Sequence, residues 1–179
     1  TQTLEESNAD LIVMGTQGAS GMQEVLVGSN TEKAVRNATV PVIAIKEPVQ
    51  LSTISNIAFA SNLQQGHDDL IKNLKALQAI FNATLHLVRV NTPNSFMTAR
   101  EVKRAMDVYI SLHEIEDYTE HTYNDITEED GIVSFAEDYD MDMIAIATHG
   151  RTGFLHLLSG SVAEDVVNHS KRPVWTFKV

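Results

Sequence analysis

Two glycine-bearing loops carry the spacing in this chain that could do chemistry. The first reads Gly15-Thr16-Gln17-Gly18, nine further residues, then Gly28-Ser29. The second reads Ala147-Thr148-His149-Gly150, nine further residues, then Gly160-Ser161. A buried strand that feeds such a loop and then a helix start can hold a phosphate. Glycine lets backbone approach the anion, free N–H groups point at it, and the helix dipole adds positive potential. Neither copy has the Lys-Ser/Thr of a P-loop or a strand-linked G-x-G-x-x-G fingerprint. Turn chemistry accounts for the same residues: Ser29-x-x-Glu32 and Ser161-x-x-Glu164 read as capping boxes, and glycine before a cap is common. Spacing alone leaves both readings open, the turn reading slightly ahead.

The remaining chemistry-bearing residues point to no catalyst. The histidines stand at 67, 86, 113, 121, 149, 156 and 169, without a metal-ligand spacing on one helix face, and no metal site is expected. His149 is the one to keep, as a loop contact beside a phosphate, and Arg151 could counter the phosphate charge. No nucleophile with an orienting carboxylate accompanies them, so an enzyme is not expected. Asp10 and Asp142 precede apolar runs and read as strand-edge residues. Thirteen Lys and Arg against 24 Asp and Glu give a net charge of -11, which disfavours nucleic acid and anionic membrane partners. With no cysteine, disulfides, thiolate metal sites and thiol catalysis are excluded together. No apolar run has the length of a membrane span, and a cytoplasmic location is the default expectation.

The elements that must position the loops emerge from an internal repeat. Residues 9–47 and 141–179 align without a gap at an offset of 132, with Asp10/Asp142, Gly18/Gly150, Gly28/Gly160, Ser29/Ser161, Glu32/Glu164 and Pro41/Pro173 among the identical pairs. Residues 1–50 therefore read as the C-terminal part of one domain and 51–179 as a complete second one, linked through Pro48. The second domain alternates strands at 54–60, 84–90, 118–123, 143–147 and 174–177 with helices at 68–81, 98–112, 127–139 and 161–168. The polar strand 118–123 belongs at a sheet edge, and Gly131 is a weak spot in its helix. This alternation predicts an α/β fold: a doubly wound, parallel, five-stranded Rossmann-like sheet, preceded by the end of a second domain of the same type. The first copy supplies only strand 11–14, helix 29–37 and strand 42–45. The offset leaves residues 51–140 without counterparts ahead of the first copy, and predicts a full first domain before Thr1 in the parent protein.

A strand ending Met-Gly-Thr-Gln-Gly, the Gly-Ser capped helix and the run Val-Pro-Val-Ile-Ala-Ile resemble the universal stress protein family in its tandem form. The resemblance implies a stress-response module that binds or senses ATP without fast turnover. It implies phosphate and ribose contacts in the loop: Gly15, Gly18, Gly28 and Ser29 in the first copy, Gly150, Gly160 and Ser161 in the second. It also implies an aspartate at the end of the first strand, where this chain has Asn62, and an apolar adenosine contact at Val90. Ala147 stands where the loop's first glycine belongs. Both departures weaken ATP binding by the second domain, so this chain alone is expected to bind ATP weakly or not at all. The family resemblance further implies self-association through the terminal strands, 42–45 lying antiparallel to 174–177. The alternatives are a nucleotide-free dimeric interaction module of the same fold and, on fold analogy alone, a nucleotidyl transferase.

Overall fold

The computed structural model describes residues 9–16, 29–64, 66–148 and 162–179. The strands are β1 (Ile12–Gly15), β2 (Val42–Ile45), β3 (Asn56–Ala60), β4 (Thr84–Asn91), β5 (Tyr118–Asn124), β6 (Met143–Thr148) and β7 (Val174–Lys178). They form one sheet in the order β1-β2-β7-β6-β3-β4-β5. The helices are α1 (Ser29–Asn37), α2 (Asp68–Phe81), α3 (Ala99–His113), α4 (Glu128–Asp138) and α5 (Val162–His169). Five strands, β7-β6-β3-β4-β5, are parallel and make the doubly wound sheet expected for residues 51–179.

Alternation along the strands decides which face each helix covers. Ile57, Phe59, Leu85, Leu87, Met143 and Ala145 face one side, where α2 brings Leu70, Leu74 and Leu77 and α3 brings Met106 and Tyr109. Ala58, Ala60, Val88, Val90, Ile144 and Ile146 face the other, against Ile132 and Phe135 of α4 and Val166 and Val167 of α5. Strands covered on both faces read as continuous apolar runs, which is how these appear in the sequence. Caps stand at the helix starts expected at 98 and 127. Thr98 Oγ1 accepts from the Glu101 amide while Glu101 returns a bond to the Thr98 amide at 2.8 Å, and Thr127 accepts from Asp130 at 3.2 Å. The polar strand β5 is at the edge. No helix among the described residues is long and apolar enough to cross a membrane.

The remaining two strands join on the far side of β7. β1 pairs with β2 in parallel, and β2 pairs with β7 antiparallel. The register is Val42 opposite Thr176, Ile43 opposite Trp175 and Ala44 opposite Val174. Ile43 and Trp175 are equivalent positions of the repeat, so a local twofold axis passes between them and exchanges the pairs on either side. Arg36 of α1 makes a bidentate bridge to Glu164 of α5, with Nε and Nη2 each 2.9 Å from a carboxylate oxygen. The pairing expected of the terminal strands is present within a single chain.

Candidate functional site

The strand order places a cleft. β3 lies between β4 and β6, and the chain winds outward from it in both directions, so the carboxyl ends of β3 and β6 flank a topological switch point. The cleft there is lined by Ala60, Ser61, Asn62, Val88, Val90, Ile132, Ile146, Ala147 and Val162, with Arg89, Tyr109 and Glu128 among its polar groups. Its floor is apolar because the last inward residues of β3, β4 and β6 are small or branched aliphatics.

The rim is built by the turn after β3. Ser61 N–H continues the ladder by donating to the Val88 carbonyl at 3.2 Å. Ser61 Oγ then accepts from Leu63 N at 3.0 Å, and Asn62 Oδ1 from Gln64 N at 3.1 Å. These consecutive side-chain turns hold Leu63 at a φ of 62°. Asn62 is therefore at the cleft, but its amide oxygen serves its own loop. The buried Tyr109 phenol, whose pKa burial pushes up, lines the cleft beside Ser61 and closes the α3 side of the rim.

Val90 is 4% exposed and lies on the cleft wall, as the sequence suggests. The neighbouring Arg89 is buried and donates to the Val90 carbonyl at 2.9 Å and the Ser95 carbonyl at 3.0 Å, while its Nε has no partner. Together with Asn91, whose amide pairs with both backbone groups of Met97, it clamps the loop between β4 and α3. Glu128, in the first turn of α4, puts a carboxylate at the cleft and is 3.4 Å from Ser95 Oγ. Sequence reasoning did not find Ser61, Arg89, Tyr109 or Glu128. Their signal is tertiary, arising where three elements meet.

Gly15 ends β1, and its carbonyl accepts from Thr31 Oγ1 at 3.1 Å. A β-carbon there would meet only Ile45 O, at 3.9 Å, so packing within the described chain does not require glycine at this position. Ala147 occupies the equivalent place in β6, on the cleft. Ser29 opens α1. Gly18, Gly28, His149, Gly150, Arg151, Gly160 and Ser161 lie outside the described residues. Asp142 behaves as the strand-edge reading expects: its Oδ2 accepts from the amides of Ser55 and Asn56, both at 2.9 Å, and ties β3 to β6. Among the described residues no three His, Cys, Asp or Glu side chains converge as a metal-holding group.

The sequence profile of the universal stress protein family matches residues 1–46 and 55–178. This chain belongs to the universal stress protein family. A universal stress protein of Synechocystis is 24% identical over 174 residues, spanning 94% of this chain and 58% of that protein. The crystal structure of a universal stress protein from Archaeoglobus fulgidus superposes with a TM-score of 0.75 at 24% identity, over 99% of this chain and 64% of that one. The chain thus spans less than two thirds of either relative's length. A universal stress protein solved in complex with cAMP superposes with a TM-score of 0.54 at 18% identity, using 72% of this chain and 98% of that one.

Proposed function

We propose that this chain is a nucleotide-binding or nucleotide-sensing module of the stress response, working without fast catalytic turnover. The observation that carries the reading is the cleft at the switch point of a universal stress protein sheet, with an apolar floor at Val90, Ile132 and Ile146 and a hydrogen-bonding rim at Ser61 and Asn62. That combination fits a nucleoside, with the base on aliphatic side chains and the sugar hydroxyls at the rim. A family member of the same fold has been solved with cAMP, which supports an adenine nucleotide as the ligand class. In this reading residues 1–50 and 51–179 are units of one kind. Of the two units, ATP favours the first, whose loop keeps Gly15, Gly18, Gly28 and Ser29.

The second unit binds weakly because Asn62 lacks a carboxylate's charge and Ala147 carries an extra methyl. Restoring charge is the direct test. Asn62→Asp should strengthen binding of ATP, AMP or cAMP about fivefold in calorimetry, the size of a charge-assisted hydrogen bond's advantage. Mass spectrometry of small molecules released from protein equilibrated with ATP, AMP or cAMP and then denatured should find the added nucleotide. If none is released and neither the wild type nor Asn62→Asp takes up any of the three, the nucleotide reading fails. Two observations favour the second reading, a nucleotide-free interaction module: the Asn62 oxygen is spent on its own turn, and Glu128 puts negative charge where a phosphorylated ligand would approach. That module should self-associate with concentration in sedimentation experiments.

A further inference from the structure

Far from the cleft, near the amino ends of the strands, three donor atoms converge on the α4 side of the sheet. His86 of β4 and His121 of β5 present Nδ1 and Nε2 to one another at 3.4 Å. Thr119 Oγ1 lies 2.8 Å from the first nitrogen and 2.7 Å from the second. Two ligands about 2.1 Å from one ion stand about 3.4 Å apart at a tetrahedral angle and about 3.0 Å apart at a right angle. In this triangle the two imidazole nitrogens, 3.4 Å apart, have the tetrahedral spacing, and the hydroxyl edges of 2.8 and 2.7 Å are a few tenths of an ångström shorter than the right-angle value. A cation could touch all three from just off its plane.

We propose that His86, His121 and Thr119 form a binding site for a divalent transition ion of the zinc or copper class, with water completing the coordination. The surroundings orient the ligands for this. Asn56 Nδ2 donates to Ser55 Oγ at 3.0 Å and to Asp142 Oδ2 at 3.3 Å, which turns Asn56 Oδ1 toward His86 Nε2 at 3.1 Å. That nitrogen must then carry the ring proton, leaving the His86 Nδ1 lone pair aimed at His121. An imidazole whose far N–H is held by an oxygen is the usual outer support of a metal ligand. His121 is fixed from behind by Phe135 and Tyr139, with ring centroids 5.0 and 5.1 Å away. The Thr119 hydroxyl can donate to His86 Nδ1 while accepting from His121 Nε2–H, and a bound ion would take the place of both hydrogens. Both histidines are half-buried and Thr119 is exposed, so an ion has a path from solvent. Asp117 and Asp142 add negative potential at His86, which favours a cation there. Imidazole nitrogens with an oxygen donor suit zinc and copper rather than calcium or magnesium.

The test is titration of the full chain with Zn2+ by calorimetry and with Cu2+ by electron paramagnetic resonance. One equivalent should bind saturably, and the Cu2+ spectrum should carry hyperfine splitting from two nitrogens. His86→Gln and His121→Gln should each weaken Zn2+ binding at least tenfold. Asn56→Ala should weaken it about tenfold while the two-nitrogen Cu2+ signature persists. Should a variant misfold, the wild type still decides: substoichiometric Cu2+ should broaden the His86 and His121 ring protons first in NMR. No saturable uptake, unchanged affinity in the double histidine variant, or broadening confined to His67, His113 or His169 would overturn the site.

Discussion

Among the described residues, His113 is one of two with a buried polar side-chain atom that lacks a partner. It ends α3 inside the core, 8% exposed, with its Nε2 lacking a hydrogen-bond partner. The nearest carboxylate, Asp68, is 3.9 Å from Nδ1 and almost fully exposed, so it offers little. Burial lowers the imidazole pKa, Asp68 opposing it and Lys75 adding to it. The unfolded chain therefore binds a proton more readily than the folded one. Stability from this residue is full above the unfolded pKa and declines as pH falls from about 6.5 through the lower folded value. His113→Leu should flatten that part of the stability profile. Above the histidine range it should be at least as stable as wild type, since it removes an unpaired buried group of the kind that costs about 1–3 kcal/mol. Urea unfolding of both proteins across the pH range checks this; an unchanged acid slope in the variant would count against it. Asp142 acts in the same sense, further into acid. Burial raises its pKa, hydrogen bonds from Ser55 and Asn56 lower it further than that, and the folded state holds the ionised form. Its contribution is present at neutral pH and fades in acid.

Helix α4 depends on a residue that looks like its flaw. A β-carbon on Gly131 would come 2.5 Å from Val90 Cγ1 and 3.0 Å from Asp125 Cβ. Glycine lets α4 lie against β4 at the residue forming the cleft wall. In an open helix Gly→Ala would gain up to about 1 kcal/mol, but here the added methyl overpacks a β-branched side chain that cannot swing away, at about 1–3 kcal/mol. Gly131→Ala should be destabilised by about 1 kcal/mol or more in urea, with Val90 displaced; a stabilised variant would mean that α4 moves freely. The sequence showed Gly131 but not its reason, which lies on another strand. Elements bounded by local chemistry were legible: the helix starts at 98 and 127, the strands at 54–60 and 84–90, and Val90 at the end of its strand. The rest of the rim was not. Tyr109 meets Ser61 only because α3 packs over β3, Glu128 reaches the cleft only through the angle of α4, and the His86–His121 pair needs the β4–β5 register. Each is a contact between distant segments with no spacing to announce it.

At the scale of the whole molecule, the antiparallel seam between β2 and β7 is where the repeat meets itself, and Ile43 faces Trp175 across it with each 1% exposed. Exchanging the two tests how closely they fit. Ile43→Trp should overpack the seam by about 1–3 kcal/mol, and Trp175→Ile should leave a void costing about 2 kcal/mol or more. The double exchange should recover at least about 1 kcal/mol of the summed loss, read from a double-mutant cycle in urea. Strict additivity would mean that the pair is not coupled. In a dimer of identical chains, a residue beside the twofold axis meets its own copy, so every change there is made twice. Two tryptophans would collide and two isoleucines would leave a gap, and the only choices are compromises of intermediate size. A single polypeptide that carries both strands escapes that constraint. One side of the axis can grow while the other shrinks, and the two halves are free to drift apart in sequence, and so in what they bind, without loosening the seam that joins them.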